Sequence, residues 1–173
     1  MSLSIDAWKS QTKDSLPASM YELVVTPPGG NGDQILIRTE TASMPGIAFS
    51  SVDNFSPYGN GLIYNIPYKY NPQEVSMMHT VDEEAEIYQT YRNWANKIVD
   101  LDGADAFSAK FLFDYVVDMD LNVYKRHNKT KVKTIKFIEA FPIVVEPIQL
   151  GWGQHDEIAK FSVNYRFTRF TVS

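Results

Sequence analysis

Phe141-Pro142-Ile143-Val144-Val145-Glu146-Pro147-Ile148-Gln149-Leu150-Gly151-Trp152-Gly153 leads through Gln154-His155-Asp156-Glu157 into Ile158-Ala159-Lys160-Phe161-Ser162-Val163-Asn164-Tyr165-Arg166-Phe167-Thr168-Arg169-Phe170. The first part is a short apolar strand that stops at Gly151-Trp152-Gly153. A polar turn follows. The last part alternates: Phe161, Val163, Tyr165 and Phe167 fall on one face, and Lys160, Ser162, Asn164, Arg166 and Thr168 on the other. A period of two marks a strand with one buried face. Ile158–Val172 is therefore expected to be one long final strand.

The same pattern recurs upstream. Over Lys110–Tyr124 the odd positions are Phe111, Phe113, Tyr115, Val117, Met119, Leu121 and Val123, and the even ones include Asp114, Asp118, Asp120 and Asn122. This predicts a strand with an apolar and an acidic face, as in an antiparallel sheet with one wet side. Lys125–Lys131 reads as a basic turn, and Val132–Ile143 as the returning strand. Near the start, residues 19–26 form a strand with Tyr21, Leu23 and Val25 on one face. Pro27–Asp33 is a turn and Gln34–Ala42 a second strand. Met44–Gly61 has little regular signal; a loop this long in a compact domain is usually functional. Leu62–Tyr70 and Glu74–Thr80 are further strands.

One helix is expected, over residues 83–99. Ile87, Tyr91, Trp94 and Ile98 make a single apolar stripe. Asp82 is the expected cap, with Thr80 and Glu83 as a competing capping box. Acidic Asp82, Glu83, Glu84 and Glu86 at the start and Lys97 at the end suit the helix dipole. Met1–Leu16 is a polar arm, and residues 17–173 make one domain. The sum is a mainly β fold: an antiparallel barrel or sandwich with one flanking α-helix.

Composition narrows the function. The chain has 173 residues, enough for one domain burying roughly 70% of its unfolded surface. Ten Tyr, ten Phe and three Trp favour strands and interfaces. Cysteine is absent, so there is no disulfide framework and no thiolate chemistry. The net charge of −5 does not suggest a phosphate-gripping surface. No apolar run reaches the roughly 18 residues of a membrane span, and no membrane anchor is expected. Met1–Lys13 lacks the pattern of a signal peptide.

Catalysis is not expected. Asp114, Asp118 and Asp120 could serve acid–base work or a hard cation only by converging. Same-face neighbours on a strand lie about 6.6 Å apart and point outward in parallel. His79, His127 and His155 are scattered, with no nucleophile arranged beside them. Gly29-Gly30-Asn31-Gly32 reads as a turn rather than a phosphate loop: no Gly-Lys-Ser/Thr follows, and no helix is expected there. No metal and no cofactor are expected. Phe49, Phe55, Tyr58, Tyr64, Tyr68 and Tyr70 form an aromatic belt around the long loop. As a base-stacking platform it would need interleaved cations, and Lys69 alone is present. Core packing and a subunit interface remain open for it.

Four segments in order resemble the tail tube proteins of contractile-tailed bacteriophages. Pro17–Thr26 is similar to the family's first strand after a short arm. Thr41-Ala42-Ser43-Met44-Pro45-Gly46 is similar to its Ala-x-x-Pro-Gly step, and Asp82–Trp94 to its acidic-headed helix ending in an aromatic. The Phe-Pro step, the strand–Trp–turn–Glu-Ile and the final aromatic strand resemble its C-terminal signature. The resemblance covers about Pro17 to Phe170; Asp100–Ala109 and Pro27–Asp33 have no counterpart in it.

The resemblance implies a non-enzymatic virion protein, assembled in the host bacterial cytoplasm. It implies hexameric rings stacked head to tail into a hollow inner tube that conducts DNA during ejection. Implied partners are the sheath, tape-measure, baseplate and tail-terminator proteins, with DNA passing without sequence-specific binding. On this view the Asp114, Asp118 and Asp120 face looks into the lumen, where like charge lets DNA slide. Lys131, Lys133 and Lys136 on the returning strand would partly cancel it. The loop Gly46–Tyr64, with Pro45, Gly46, Phe49, Phe55, Tyr58 and Tyr64, contacts the next subunit or ring. Rivals in the same class are a baseplate tube initiator and the inner tube of a phage-derived secretion or bacteriocin machine. From other classes come a monomeric β-barrel binding a small apolar ligand, and a carboxylate-based hydrolase.

Overall fold

A computed structural model of the chain describes residues 16–30, 32–55, 63–101, 103, 109–126, 129–152 and 157–173. The strands are β1 (Tyr21–Val25), β2 (Thr39–Ala42), β3 (Ile47–Phe55), β4 (Ile63–Pro72), β5 (Val75–Thr80), β6 (Val117–Tyr124), β7 (Lys131–Val145), β8 (Lys160–Arg166) and β9 (Arg169–Val172). Two helices, α1 (Gly32–Arg38) and α2 (Glu86–Ile98), and a 3-10 turn (Leu112–Asp114) complete the described elements. The fold is mainly β and antiparallel with one longer helix, as expected.

Seven strands form one curled sheet in the order β1-β6-β7-β8-β5-β2, with β9 also on β7; β3 and β4 form a separate two-stranded sheet. The edges β1 and β2 approach each other. The Tyr21 hydroxyl on β1 donates to the Glu40 carbonyl on β2 at 2.5 Å, which nearly closes the barrel. The alternation of the last strand is realised: Phe161, Val163, Tyr165 and Phe167 are buried. They join Leu23, Val25, Met77, Met119, Leu121 and Phe137 in one core.

That strand is broken at a corner. β8 pairs with β7 at Phe141–Val145, and β9 with the same edge of β7 at Ile135–Ile138. Opposite the break, Glu139 takes φ +56°, and the β6–β7 register shifts between Val117 and Met119. The Thr168 N–H donates to the Ile138 carbonyl at 3.0 Å, and its hydroxyl donates to Glu139 at 2.7 Å. A bulge in one strand thus meets a kink in its neighbour, and the sheet turns there.

Three expectations are corrected. Gln34–Ala42 is not one strand: α1 occupies Gly32–Arg38, and only Thr39–Ala42 is extended. Ile35 is buried while Ile37 is 73% exposed, so the apparent alternation was one helical contact and one surface residue. A helix does begin in the Gly29–Gly32 region. Gly32 is required at its start, since a Cβ there would lie 2.1 Å from the Val25 carbonyl oxygen. Second, Met44–Gly61 is not a loop throughout, because Ile47–Phe55 is β3.

Third, the strand predicted over Lys110–Tyr124 begins only at Val117. Phe111 and Phe113 are 84% and 81% exposed, on and beside the 3-10 turn. The Trp94 Nε1–H donates to the Tyr115 carbonyl at 2.7 Å, which anchors the chain where the turn gives way to β6.

The helix α2 covers the barrel with Ile87, Tyr91 and Trp94 fully buried; Ile98 is half-buried. Asp82 caps it from outside the first turn, its carboxylate accepting from the Glu86 N–H at 3.1 Å and the Ile87 N–H at 3.4 Å. Thr80 does not form the alternative capping box and donates instead to the Arg38 carbonyl.

Candidate functional site

The β3–β4 hairpin has two chemically distinct faces. The register pairs Ile47 with Pro72, Phe49 with Tyr70, and Val52 with Ile66. A shift between Ser50 and Ser51 leaves Tyr68 as the extra residue of β4, while β3 alternates without interruption. One face therefore carries Ile47, Phe49, Tyr70 and Pro72, followed beyond the shift by Ser51, Pro67, Asp53 and Asn65. The other carries Ala48, Ser50, Lys69 and Asn71, followed by Val52 and Ile66. The apolar part of the first face should be a core face, yet Ile47 is 66% and Phe49 61% exposed. Phe49 and Tyr70 touch each other, with ring centroids 6.1 Å apart. An isolated two-stranded hairpin is marginally stable in water, and an uncovered apolar face of this kind marks an interaction surface.

Of the residues assigned to this contact from sequence, Phe49 lies on the apolar face. Pro45 and Gly46 precede β3; a Cβ on Gly46 would sit 3.3 Å from the Gln73 side chain, so Gly46 packs where the hairpin leaves the barrel. Near the hairpin's outer end Phe55 is paired with Ile63 and Tyr64 with Asn54. Tyr58 lies outside the described residues. Sequence reasoning missed Ile47 on the apolar face, and Val52 and Ile66 on the opposite one. The strand β3 is interrupted by Ser50-Ser51 and Asp53-Asn54, which hides its period.

The acidic trio is divided. Asp114 sits in the 3-10 turn, off the strand that carries Asp118 and Asp120. Asp118 is paired with Lys136 on β7 at 2.9 Å and accepts the Glu139 N–H at 3.3 Å. The hydrogen bond from Lys136 holds the Asp118 carboxyl below the usual range, against partial desolvation that acts the other way. The same contact raises the Lys136 ammonium. Asp120 faces Lys136 across the strands and buries one carboxylate oxygen without a partner. Further along, Tyr124 and Asn122 both donate to Glu22, and Thr134 donates to Asn122 at 2.9 Å.

This outer face of β1, β6 and β7 is thus a hydrogen-bonded polar surface with Glu22, Asp118 and Asp120 balanced in part by Lys136. Of the three lysines expected on it, Lys136 is paired with its acids. Lys133 instead shares the side of Ile135 and Phe137, at the strand's end. No group of carboxylates and histidines among the described residues has metal-site geometry. His127 and His155 lie outside the described residues.

Open grooves lie on the surface of the described residues. One, of about 940 Å³, is bounded by Leu150, Trp152 and Ile158; another, of about 780 Å³, lies at the β1–β2 seam. The barrel interior between them is filled by Trp94, Tyr91, Tyr165 and Phe137.

The chain matches the phage tail tube protein family over residues 14–173 and belongs to that family. It is a structural family, not an enzymatic one. Among solved structures, a chain of the six-fold symmetrised baseplate of the anti-feeding prophage is similar with a TM-score of 0.70 and 6% identity. That match covers 94% of this chain and 97% of the other. A chain of the sheath–tube complex of an extracellular contractile injection system, PVC, in its extended state gives 0.66 at 14% identity. It covers 99% of both chains. A chain from that system's sheath/tube terminator gives 0.67 at 14% identity, covering 93% and 98%. No curated protein matches the chain.

Proposed function

We propose that this chain builds the hollow inner tube of a contractile phage tail, as six-membered rings stacked head to tail, through which DNA leaves the virion. The observation that carries this reading is the β3–β4 hairpin, whose apolar face has no cover among the described residues. In a stack, a second copy supplies that cover. Contacts that close within a ring and repeat without closing between rings yield a tube. The free edges of β1 and β2 gain neighbours in the same assembly instead of remaining open to aggregation.

The polar outer face with Asp118 and Asp120 is assigned to the lumen, with Asp114 beside it on the turn. Its partial neutralisation by Lys136 leaves a surface that neither grips nor strongly repels phosphate. Sheath, tape-measure, baseplate and terminator proteins are the partners of such a tube, in a virion assembled in the host cytoplasm. The similarity to a baseplate chain keeps a tube initiator as the second reading within this class. A ligand-binding barrel is disfavoured by the side chains that fill its interior.

The test is the double variant Phe49→Ser/Tyr68→Ser. Both side chains are exposed, so the protomer should melt within about 0.5 kcal/mol of wild type. It should fail to form tubes by sedimentation. Intact tubes from this variant would contradict the assignment of the hairpin.

A further inference from the structure

His79 on β5 lies at the centre of a buried polar chain that tube assembly does not explain. His79, Tyr91 and Tyr165 are all fully buried. The His79 Nδ1 is 3.2 Å from the Thr39 hydroxyl, its Nε2 is 2.8 Å from the Tyr91 hydroxyl, and that hydroxyl is 2.5 Å from the Tyr165 hydroxyl. The Thr39 hydroxyl also contacts the Ile35 carbonyl at 2.5 Å.

Donors and acceptors can be assigned from one end. A carbonyl only accepts, so Thr39 spends its single proton on Ile35. Thr39 must then accept from His79, which places the imidazole proton on Nδ1. Nε2 is left as an acceptor and takes the Tyr91 proton. Tyr91 in turn accepts from Tyr165. The chain runs one way, from Tyr165 through Tyr91, His79 and Thr39 to Ile35. It ties β8, α2, β5 and the α1–β2 junction together at one point.

We infer that this one-way chain is an acid-sensitive catch on the α1–β2 edge, opened when His79 takes a second proton. A proton on Nε2 makes that nitrogen a donor, so Tyr91 must turn its own proton toward Tyr165. The Tyr165 proton then has no acceptor, since Tyr91 is that hydroxyl's hydrogen-bond partner among the described residues. A buried donor left unpaired is costly. Burial already pushes His79 down to about 4, and burial raises both tyrosines, which stay protonated.

The charged groups on neighbouring elements do not rescue the cation. Arg38 precedes Thr39, and the Lys160–Glu40 pair, at 2.7 Å, flanks the site from β8 and β2. The aromatic rings of Tyr91 and Phe161 cover the imidazole, with centroids 5.2 and 5.6 Å away. The piece that yields is set by topology. β2 is a four-residue edge strand whose one strand partner among the described residues is β5, with a bulge between Thr39 and Thr41. Short edge elements open first.

The sign follows from linkage. A histidine held neutral in the fold stabilises it fully above its ordinary value near 6.5, and that contribution is lost as pH falls from there through about 4. Two measurements test the catch. Nitrogen-15 NMR of the wild-type protein at neutral pH should show His79 protonated on Nδ1 and bare on Nε2. Hydrogen exchange between pH 7 and 4 should show α1 and β2 losing protection tenfold or more beyond the intrinsic pH effect, while β6 and β7 stay protected. His79→Phe should abolish that differential loss. An Nε2-protonated tautomer, or α1–β2 protection that falls only in step with the rest of the barrel, would overturn the inference even where His79→Phe fails to fold.

Discussion

Ala85, just before α2, has φ +52° and ψ +31°, a left-handed conformation that costs a residue with a Cβ roughly 1–2 kcal/mol. It is held there because Asp82 must reach past it to cap the helix: the Ala85 N–H donates to the Asp82 carbonyl at 3.0 Å while the Asp82 carboxylate takes the N–H groups of Glu86 and Ile87. Glycine adopts this conformation freely, at some cost in unfolded-chain entropy. Ala85→Gly should therefore stabilise the protein by roughly 0.5–1 kcal/mol in chemical denaturation. Asp82→Ala should cost about 1 kcal/mol, and Asp82→Asn much less, since asparagine also caps. Desolvation pulls the Asp82 carboxyl upward, but the backbone N–H groups outweigh it and hold it below its ordinary value. Its contribution is thus present above that ordinary value and lost as pH falls through the lower folded one. Comparing wild type with Asp82→Ala by acid titration should show their stabilities converging only at low pH.

At the scale of elements, the join between α2 and β6 rests on Trp94. Its indole fills the core and its N–H satisfies the Tyr115 carbonyl, two residues before β6 takes up its ladder. Trp94→Phe should cost about 1–3 kcal/mol by leaving that carbonyl without its partner, and hydrogen exchange at residues 112–116 should rise. What the sequence made legible at this scale depends on where the apolar face finds its cover. Phe161, Val163 and Tyr165 alternate because their own barrel buries them, and the pattern predicted them correctly. Phe111 and Phe113 extend the alternation of β6, yet both stand in solvent on a turn. Hydrophobic period reports an apolar side, not the molecule that covers it. β3 escaped notice for the complementary reason: Ser50-Ser51 and Asp53-Asn54 dilute its period, and its apolar residues divide between two faces, Ile47 and Phe49 on one and Val52 on the other. α1 was misread because its seven residues are too few to express a helical period. The acidic face was legible as a pattern on β6, but its pairing with Lys136 depends on a bulge that no local signal announces.

For the whole molecule, the barrel is complete as a packed core and incomplete as a surface. Its interior is filled, its edges β1 and β2 are bridged among the described residues by the Tyr21 hydroxyl, and its hairpin presents an apolar face to water. On the proposed reading, copies of the same chain cover these surfaces. The most direct test is negative-stain electron microscopy of the purified protein at high concentration, alone and seeded with a tail baseplate. The account predicts six-fold rings or hollow tubes of uniform diameter, lost in the Phe49→Ser/Tyr68→Ser variant. Monomers at every concentration, with and without the seed, would contradict it.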